Sequence, residues 1–238
     1  MSDPKLRIAR TTQPYLFQNG FVLTDLPADD LILLKSCGDP VKGKRGDVLF
    51  RQGGFPKSVI WLISGKVKIF QETTGGQRQT LYVYSDGDLI GYRQLIAEEA
   101  HPVSAVLLED STFILISSEI FRGLINSSSF FTRNVLNALA REFTVWMNRM
   151  TAFTTLSVRH RLVLALLVLH EQYRLSGSAK GSITMTRTEL AEYVGASLET
   201  VVRALNTLKA EKLVQIQGRR ILLPDLNTLM DILQENEK

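Results

Sequence analysis

At Ser118 the hydrophobic period of the chain changes from two residues to three and a half, so no single type of layer can absorb the whole sequence. Upstream, from about Val41, short runs rich in Val, Ile, Phe and Tyr recur between glycine turns: DVLFRQGG, VIWLISG, KVKIFQETTGG, TLYVYSDGD, VSAVLLED and TFILIS. Runs of that length and spacing predict an antiparallel sandwich or jelly-roll barrel. The preceding ADDLILLKSC predicts a short helix that stops before Asp39-Pro40. Downstream, Leu136, Leu139, Phe143, Trp146, Met150 and Phe153 follow one another at steps of 3, 4, 3, 4 and 3, the a/d pattern of a coiled coil. Ser127, Ser128 and Ser129 offer N-caps for that helix. A single helix lying along the barrel would also use such a stripe. Its length and aromatic content exceed what one small barrel needs, and a parallel homodimer is expected.

A second helix is expected from Ser157 to Tyr173, then the polar, flexible stretch LSGSAKGS. Residues 183–223 spell strand, helix, turn, helix and hairpin. Thr186 or Thr188 caps the first of these helices, Leu190 and Val194 face inward, Gly195 ends it, and Ser197 caps the next. Val201, Leu205 and Leu208 form the inward stripe of that second helix. Two amphipathic helices around a glycine turn make a helix-turn-helix, and Leu213–Ile216, a Gln217-Gly218 turn and Arg219-Arg220 running into Ile221 supply a wing.

Glu199 and Arg203, four apart, share the outward face. Arginine pairs bidentately with guanine and glutamate accepts from the cytosine amino group, so the pair is able to read a G·C step; otherwise it is an exposed ion pair worth a few tenths of a kcal/mol. Ser197 and Thr200 at the helix start, and Arg219 and Arg220 in the wing, are candidate phosphate contacts. For Ser197 the competing role is simply the cap, and for the two arginines it is surface solubility. Charge falls in the same place. Residues 1–128 are neutral, with 14 basic and 14 acidic side chains, 129–155 carry net +2, and 156–223 carry ten basic against five acidic.

The 238 residues, 45% hydrophobic and 22% charged, suit one or two globular domains. A single cysteine, Cys37, excludes a disulfide framework and any thiolate-held iron–sulfur cluster within one chain; it is expected to be a small buried apolar residue. Haem is disfavoured because His101, His160 and His170 are scattered. MSDPKLRIAR has no apolar stretch behind its charges, and the longest aliphatic run, Leu162 to Leu169, is far short of the ~20 residues a spanning helix needs. A soluble, cytoplasmic protein with no membrane contact is expected.

With these elements in order, the chain from about Leu31 to Pro224 resembles the CRP/FNR family of bacterial transcription regulators. Its strongest motif is TRTELAEYVGASLETVVRAL, in which Glu199 and Arg203 match the family's base-reading residues; Gly46, Gly53, Gly65, Gly87 and Gly91 fall at familiar spacing. The resemblance implies a cyclic-nucleotide-binding-type barrel, a dimerising helix and a winged helix. It also implies a near-palindromic double-stranded DNA site and, for an activator, RNA polymerase as a further partner. The departures lie in the effector pocket. Where cyclic-AMP-responsive members have Gly-Glu and Arg-Ser-Ala, this chain reads Gly91-Tyr92 and Val103-Ser104-Ala105, and the polar pair offered to the base becomes Trp146-Met147. A cyclic phosphate would lack its counter-charge. Arg93 offers a replacement cation or lies at the surface, and Tyr92 is expected to fill the pocket. Leu198 stands where the cyclic-AMP-type reader carries arginine, and with Val202 it is able to pack on thymine methyls.

The expected fold is α+β: a sensor barrel over residues 1–128, a dimerisation helix over 129–156 and a winged helix-turn-helix over 157–238. The expected function is a homodimeric DNA-binding regulator, not an enzyme, without metal or cofactor and with an effector of unknown identity. Barrel state would pass through repacking around Trp146, Met150 and Phe153. The alternatives are a cyclic-nucleotide-dependent regulator and a sensor or interaction module without DNA binding. A cupin-type enzyme would need a histidine cluster, and only His101 lies in the barrel.

Overall fold

A computed structural model describes residues 4–177 and 181–235. Part of the polar stretch LSGSAKGS therefore lies outside the described residues. The chain forms two compact units: one from residues 17–143, the other from 1–16 together with 144–238. The division falls inside the long helix, which was expected to stand as its own segment over 129–156, and the first sixteen residues belong with the C-terminal unit.

In the first unit the period-two runs form eight strands: β1 (Val41–Gly43), β2 (Val48–Phe50), β3 (Ser58–Ser64), β4 (Val67–Glu72), β5 (Arg78–Tyr84), β6 (Leu89–Ile90), β7 (Ser104–Leu107) and β8 (Ser111–Ser117). They assemble into two four-stranded antiparallel sheets, ordered β1-β8-β3-β6 and β2-β7-β4-β5. Strands distant in sequence alternate between the sheets, as a jelly roll requires. The core gathers Val59, Leu89, Tyr92, Ile116, Phe121, Leu124 and Phe131, with Phe121 and Phe131 meeting edge to face at 5.5 Å. Helix α2 (Ala28–Lys35) packs by Leu34 and leaves Ile32 outward; α3 (Tyr92–Ala97) and α4 (Ser118–Ser127) complete the unit's short helices. Cys37, just beyond α2, is half-buried rather than buried, and desolvation raises its thiol pKa.

Residues 17–24 are stitched to the β5–β6 turn. Asn19 exchanges two hydrogen bonds with the Leu89 backbone, at 2.8 and 2.7 Å, and its own N–H donates to Asp88 at 2.7 Å. Burial pushes the Asp88 carboxyl up to about 7, against the backbone N–H groups of Ser85 and Asn19, which favour its ionised form.

The long helix α5 runs from Ser129 to Thr155, with Ser128 as its cap: the Ser128 hydroxyl accepts from the Phe131 N–H at 3.2 Å. It carries two heptad stripes. Phe131, Val135, Ala138, Glu142, Val145, Arg149 and Ala152 are buried, at steps of 4, 3, 4, 3, 4 and 3. The stripe expected from its hydrophobicity faces elsewhere: Leu136, Phe143 and Met150 are 60%, 64% and 45% exposed.

In the second unit, α1 (Pro4–Thr12) packs against α6 (Val158–Leu175) and α9 (Leu226–Glu235), with Arg7 paired to Asp231. Nothing in the sequence patterning marked α1, because only Ile8 and Thr12 among its described side chains are buried. The expected Ser157–Tyr173 helix is α6, with Ser157 as its cap. A three-stranded antiparallel sheet, β10-β11-β9, joins β9 (Ile183–Thr184) to the hairpin of β10 (Gln215–Gln217) and β11 (Arg220–Leu222). The hairpin turn lies one residue later than expected. Gln217 pairs with Arg220, so the loop is Gly218-Arg219, which puts glycine at the first loop position with φ +60°.

Between β3 and β4, Gly65 has φ +118°, and a Cβ there would strike the Ser111 hydroxyl and lie 2.9 Å from its Cα. Gly65→Ala is expected to cost at least about 2 kcal/mol in urea unfolding, because strain and overlap add; an unchanged midpoint would refute the tight crossing.

Candidate nucleic-acid interface and effector pocket

The helix-turn-helix is built from local capping chemistry. Helix α7 (Arg187–Val194) begins at Thr186 in a reciprocal capping box: the Glu189 N–H donates to Thr186 Oγ1 at 3.1 Å, and the Thr186 N–H donates to Glu189 Oε2 at 2.7 Å. Gly195 ends α7 in the left-handed region, and Ser197 caps α8 (Leu198–Ala210) by accepting from the Thr200 N–H at 3.2 Å. Leu190, Val194, Val201, Leu205 and Leu208 are all buried, so the inward stripes fix which face of α8 turns outward.

That outward face is a shallow open depression lined by Leu198, Glu199, Val202, Arg203, Asn206 and Thr207. Leu198 is 47% exposed, and Val202 is half-buried rather than exposed. Glu199 and Arg203 are both exposed, and among the described residues neither forms an ion pair. The mundane role of the pair, an i,i+4 salt bridge, is therefore not taken up. Ser197 takes its capping role, and its hydroxyl also lies 2.8 Å from that of Thr200. Arg219 and Arg220 are exposed on the wing, and Arg187 donates to the Gly218 carbonyl at 3.3 Å. Asn206 and Thr207 were missed in the sequence, although stepping three and four residues on from Arg203 reaches both.

The candidate effector residues fall in both units. Gly91, Tyr92, Arg93, Val103 and Ser104 belong to the barrel unit, and Trp146 and Met147 to the other. Tyr92 is 2% exposed within the barrel core, and its hydroxyl donates to Glu142 Oε2 at 3.1 Å. Burial and the neighbouring Glu142 hold the Tyr92 phenol far above its ordinary pKa. Arg93 Nη1 donates to Glu142 Oε1 at 2.8 Å. Both oxygens of this buried carboxylate are engaged, and Arg93 is no idle surface cation. Glu142 was invisible as a site residue in the sequence, although it is the only acid between residues 129 and 155. The Ser104 hydroxyl accepts from the Gln52 N–H at 2.9 Å and so serves the sheet. His101 stacks on Phe50 at 3.9 Å and lies beside Gly91, and among the described residues its buried Nδ1 has no partner.

An outward-facing second helix beside a basic hairpin wing, joined in one chain to a jelly-roll barrel and a long helix, defines a winged-helix DNA-binding regulator with a sensor-type barrel. Residues 40–128 match the cyclic nucleotide-binding domain model, and residues 160–232 match the Crp-like helix-turn-helix domain model. The chain is 31% identical over 173 residues to the cyclic AMP receptor protein of Thermus thermophilus, across 72% of this chain and 77% of that protein. It is 27% identical over 205 residues to the transcriptional activator protein Anr of Pseudomonas protegens, across 85% and 82%. The c-di-GMP responsive global regulator CLP of Xanthomonas campestris shares the fold, with a TM-score of 0.70 at 23% identity over 83% of this chain and 99% of that one. The chain belongs to the CRP/FNR family of transcription regulators. No helix among the described residues is long and apolar enough to cross a membrane.

Desolvation pushes the His101 imidazole below its ordinary value of 6.5. Between the two values the unfolded chain binds more protons than the folded one, so stability rises with pH there. The His101 contribution is full above 6.5 and fades as pH falls towards the folded pKa. Urea midpoints between pH 7 and pH 5 are expected to fall more in the wild type than in His101→Gln. His170, shifted in the same direction, stays in both proteins as the common background. Parallel curves would sink the assignment.

Proposed function

We propose that the protein is a cytoplasmic homodimer that reads a near-palindromic DNA site through Glu199 and Arg203, with a barrel that does not take cyclic AMP in the usual way. The observation that carries the reading is the α8 face, where a glutamate and an arginine four residues apart stand exposed without pairing to each other. Leu198 and Val202 on the same face suit thymine methyl groups, and the exposed wing arginines Arg219 and Arg220 suit phosphates. Two copies would put their α8 helices in successive major grooves about 34 Å apart.

Dimerisation through α5 is supported by the outward stripe. Leu136, Phe143 and Met150 fall at coiled-coil steps of seven, and Met147 beside them is 53% exposed. Against cyclic AMP stands the start of α3, where Tyr92 fills the core and the Glu142 carboxylate already holds Arg93. A cyclic phosphate there would have to displace an internal anion from the nearest cation. With Cys37 as the only cysteine, the regulator is proposed to need no iron–sulfur cluster, and neither haem nor a metal.

Selection of DNA fragments by the purified protein should return the same palindrome with and without cyclic AMP. Arg203→Ala should lose about 1–3 kcal/mol of discrimination at one symmetric G·C position. Recovery only with the nucleotide would overturn the pocket reading, and unchanged discrimination would overturn the base-reading role. In sedimentation at micromolar concentration the wild type should run as a dimer and Phe143→Lys should shift towards monomer; a wild-type monomer would end the α5 argument.

A further inference from the structure

The unit containing the winged helix holds a cavity that the DNA-reading face does not use. It has room of about 30 Å³, bounded by the last turns of α5, by α6, by the end of α7 and by Tyr15. A cavity needs roughly 10–15 Å³ on this measure to hold one water, so this one accepts a ligand of a few heavy atoms. Most of its wall is apolar, with Ala152, Leu164 and Val168 and the rings of Phe153 and Tyr193 among the lining.

Two arginines break that wall. Arg149 is 6% exposed, donates from Nη1 to the Tyr193 hydroxyl at 2.6 Å, and places its guanidinium 4.3 Å from the Tyr193 ring centre and 5.8 Å from that of Phe153. Arg161 donates from Nη1 to the Phe153 carbonyl at 3.0 Å and sits 6.0 Å from the same Phe153 ring. Among the described residues neither has a carboxylate partner, and the buried Nε–H of each has no acceptor. Aromatic faces offset only part of the cost of desolvating a cation. Two like charges around one small space raise it further.

An anion in the cavity would give both unpartnered Nε–H groups an acceptor and offset the charge of buried Arg149 beside half-buried Arg161. The Nε–Nη2 edge of a guanidinium matches the two oxygens of a carboxylate, and that edge is unused in both arginines. The apolar wall favours a ligand with a short alkyl group over a fully hydrated inorganic ion. We propose that the cavity is a binding site for a short-chain carboxylate. Arg149 and Arg161 hold the carboxylate, and Ala152, Leu164 and Val168 enclose the alkyl group. This site lies outside the barrel and does not depend on which bases α8 reads.

The test is calorimetric titration of the full chain with sodium propionate at constant ionic strength, with sodium chloride, nitrate and phosphate as parallel arms. Saturable one-site binding of propionate is expected, weakened about tenfold or more in Arg161→Gln, as loss of a charged hydrogen bond implies. It should be abolished in Ala152→Leu, which fills the room while keeping both arginines. Arg149→Leu should melt no lower than wild type in carboxylate-free buffer, since it removes an uncompensated buried charge, and its melting point should no longer rise with propionate. Should Arg149→Leu fail to fold, the other two variants decide. Absence of saturable propionate heat, or undiminished binding in both Arg161→Gln and Ala152→Leu, overturns the site; equal affinity for the inorganic ions overturns the carboxylate assignment.

Discussion

Each unit packs on buried residues of its own part of α5. Phe131, Val135 and Ala138 enter the barrel core, and further along the same helix Ala152 packs with Leu164 and Val168 of α6. Within each unit the buried positions follow one helical phase, and turning that stretch of α5 by one residue would strip the core it serves. With that face buried, the other apolar stripe of the helix is left outward.

The inner stripe is interrupted by two charged residues, and their surroundings differ. Glu142 is buried but satisfied: Tyr92 donates to one oxygen and Arg93 to the other. Removing either donor would leave a desolvated carboxylate, which costs far more than the hydrogen bond contributes in place. Arg149 is buried against the Tyr193 hydroxyl and two aromatic rings, and among the described residues no acid pairs with it. In the barrel the charge is answered from within the chain; near α7 it is not. The contrast sets the cavity beside Arg149 apart from the Glu142 site, where Tyr92 and Arg93 already engage the charge.

Much of the architecture was legible in the sequence because it rests on local signals. The change of period at Ser118 separated the jelly roll from the helices, and the threonine, serine and glycine caps placed α7 and α8. What stayed hidden was non-local. The buried stripe of α5 escaped notice because Glu142 and Arg149 break its hydrophobic pattern, so the more apolar outer stripe dominated. The docking of α1 on α6 and α9 depends on a few contacts far apart in sequence, and the wing turn was displaced by one residue because positive φ at Gly218 outweighs the pull of Gln217. Of the outward face of α8, Glu199 and Arg203 were evident from their spacing; Asn206 and Thr207 required knowing how far the depression continues.

The free state of Glu199 and Arg203 bears on how such a face gains selectivity. An exposed i,i+4 pair contributes only about 0.3–0.5 kcal/mol, so little holds the two side chains together and little is lost in separating them. A buried contact with the wrong base pair would leave a desolvated charge unmatched, at several times that cost. If this face reads bases as proposed, its discrimination would come less from attraction to the right sequence than from the penalty of meeting the wrong one, and Leu198 and Val202 on the same face would add to it by excluding water.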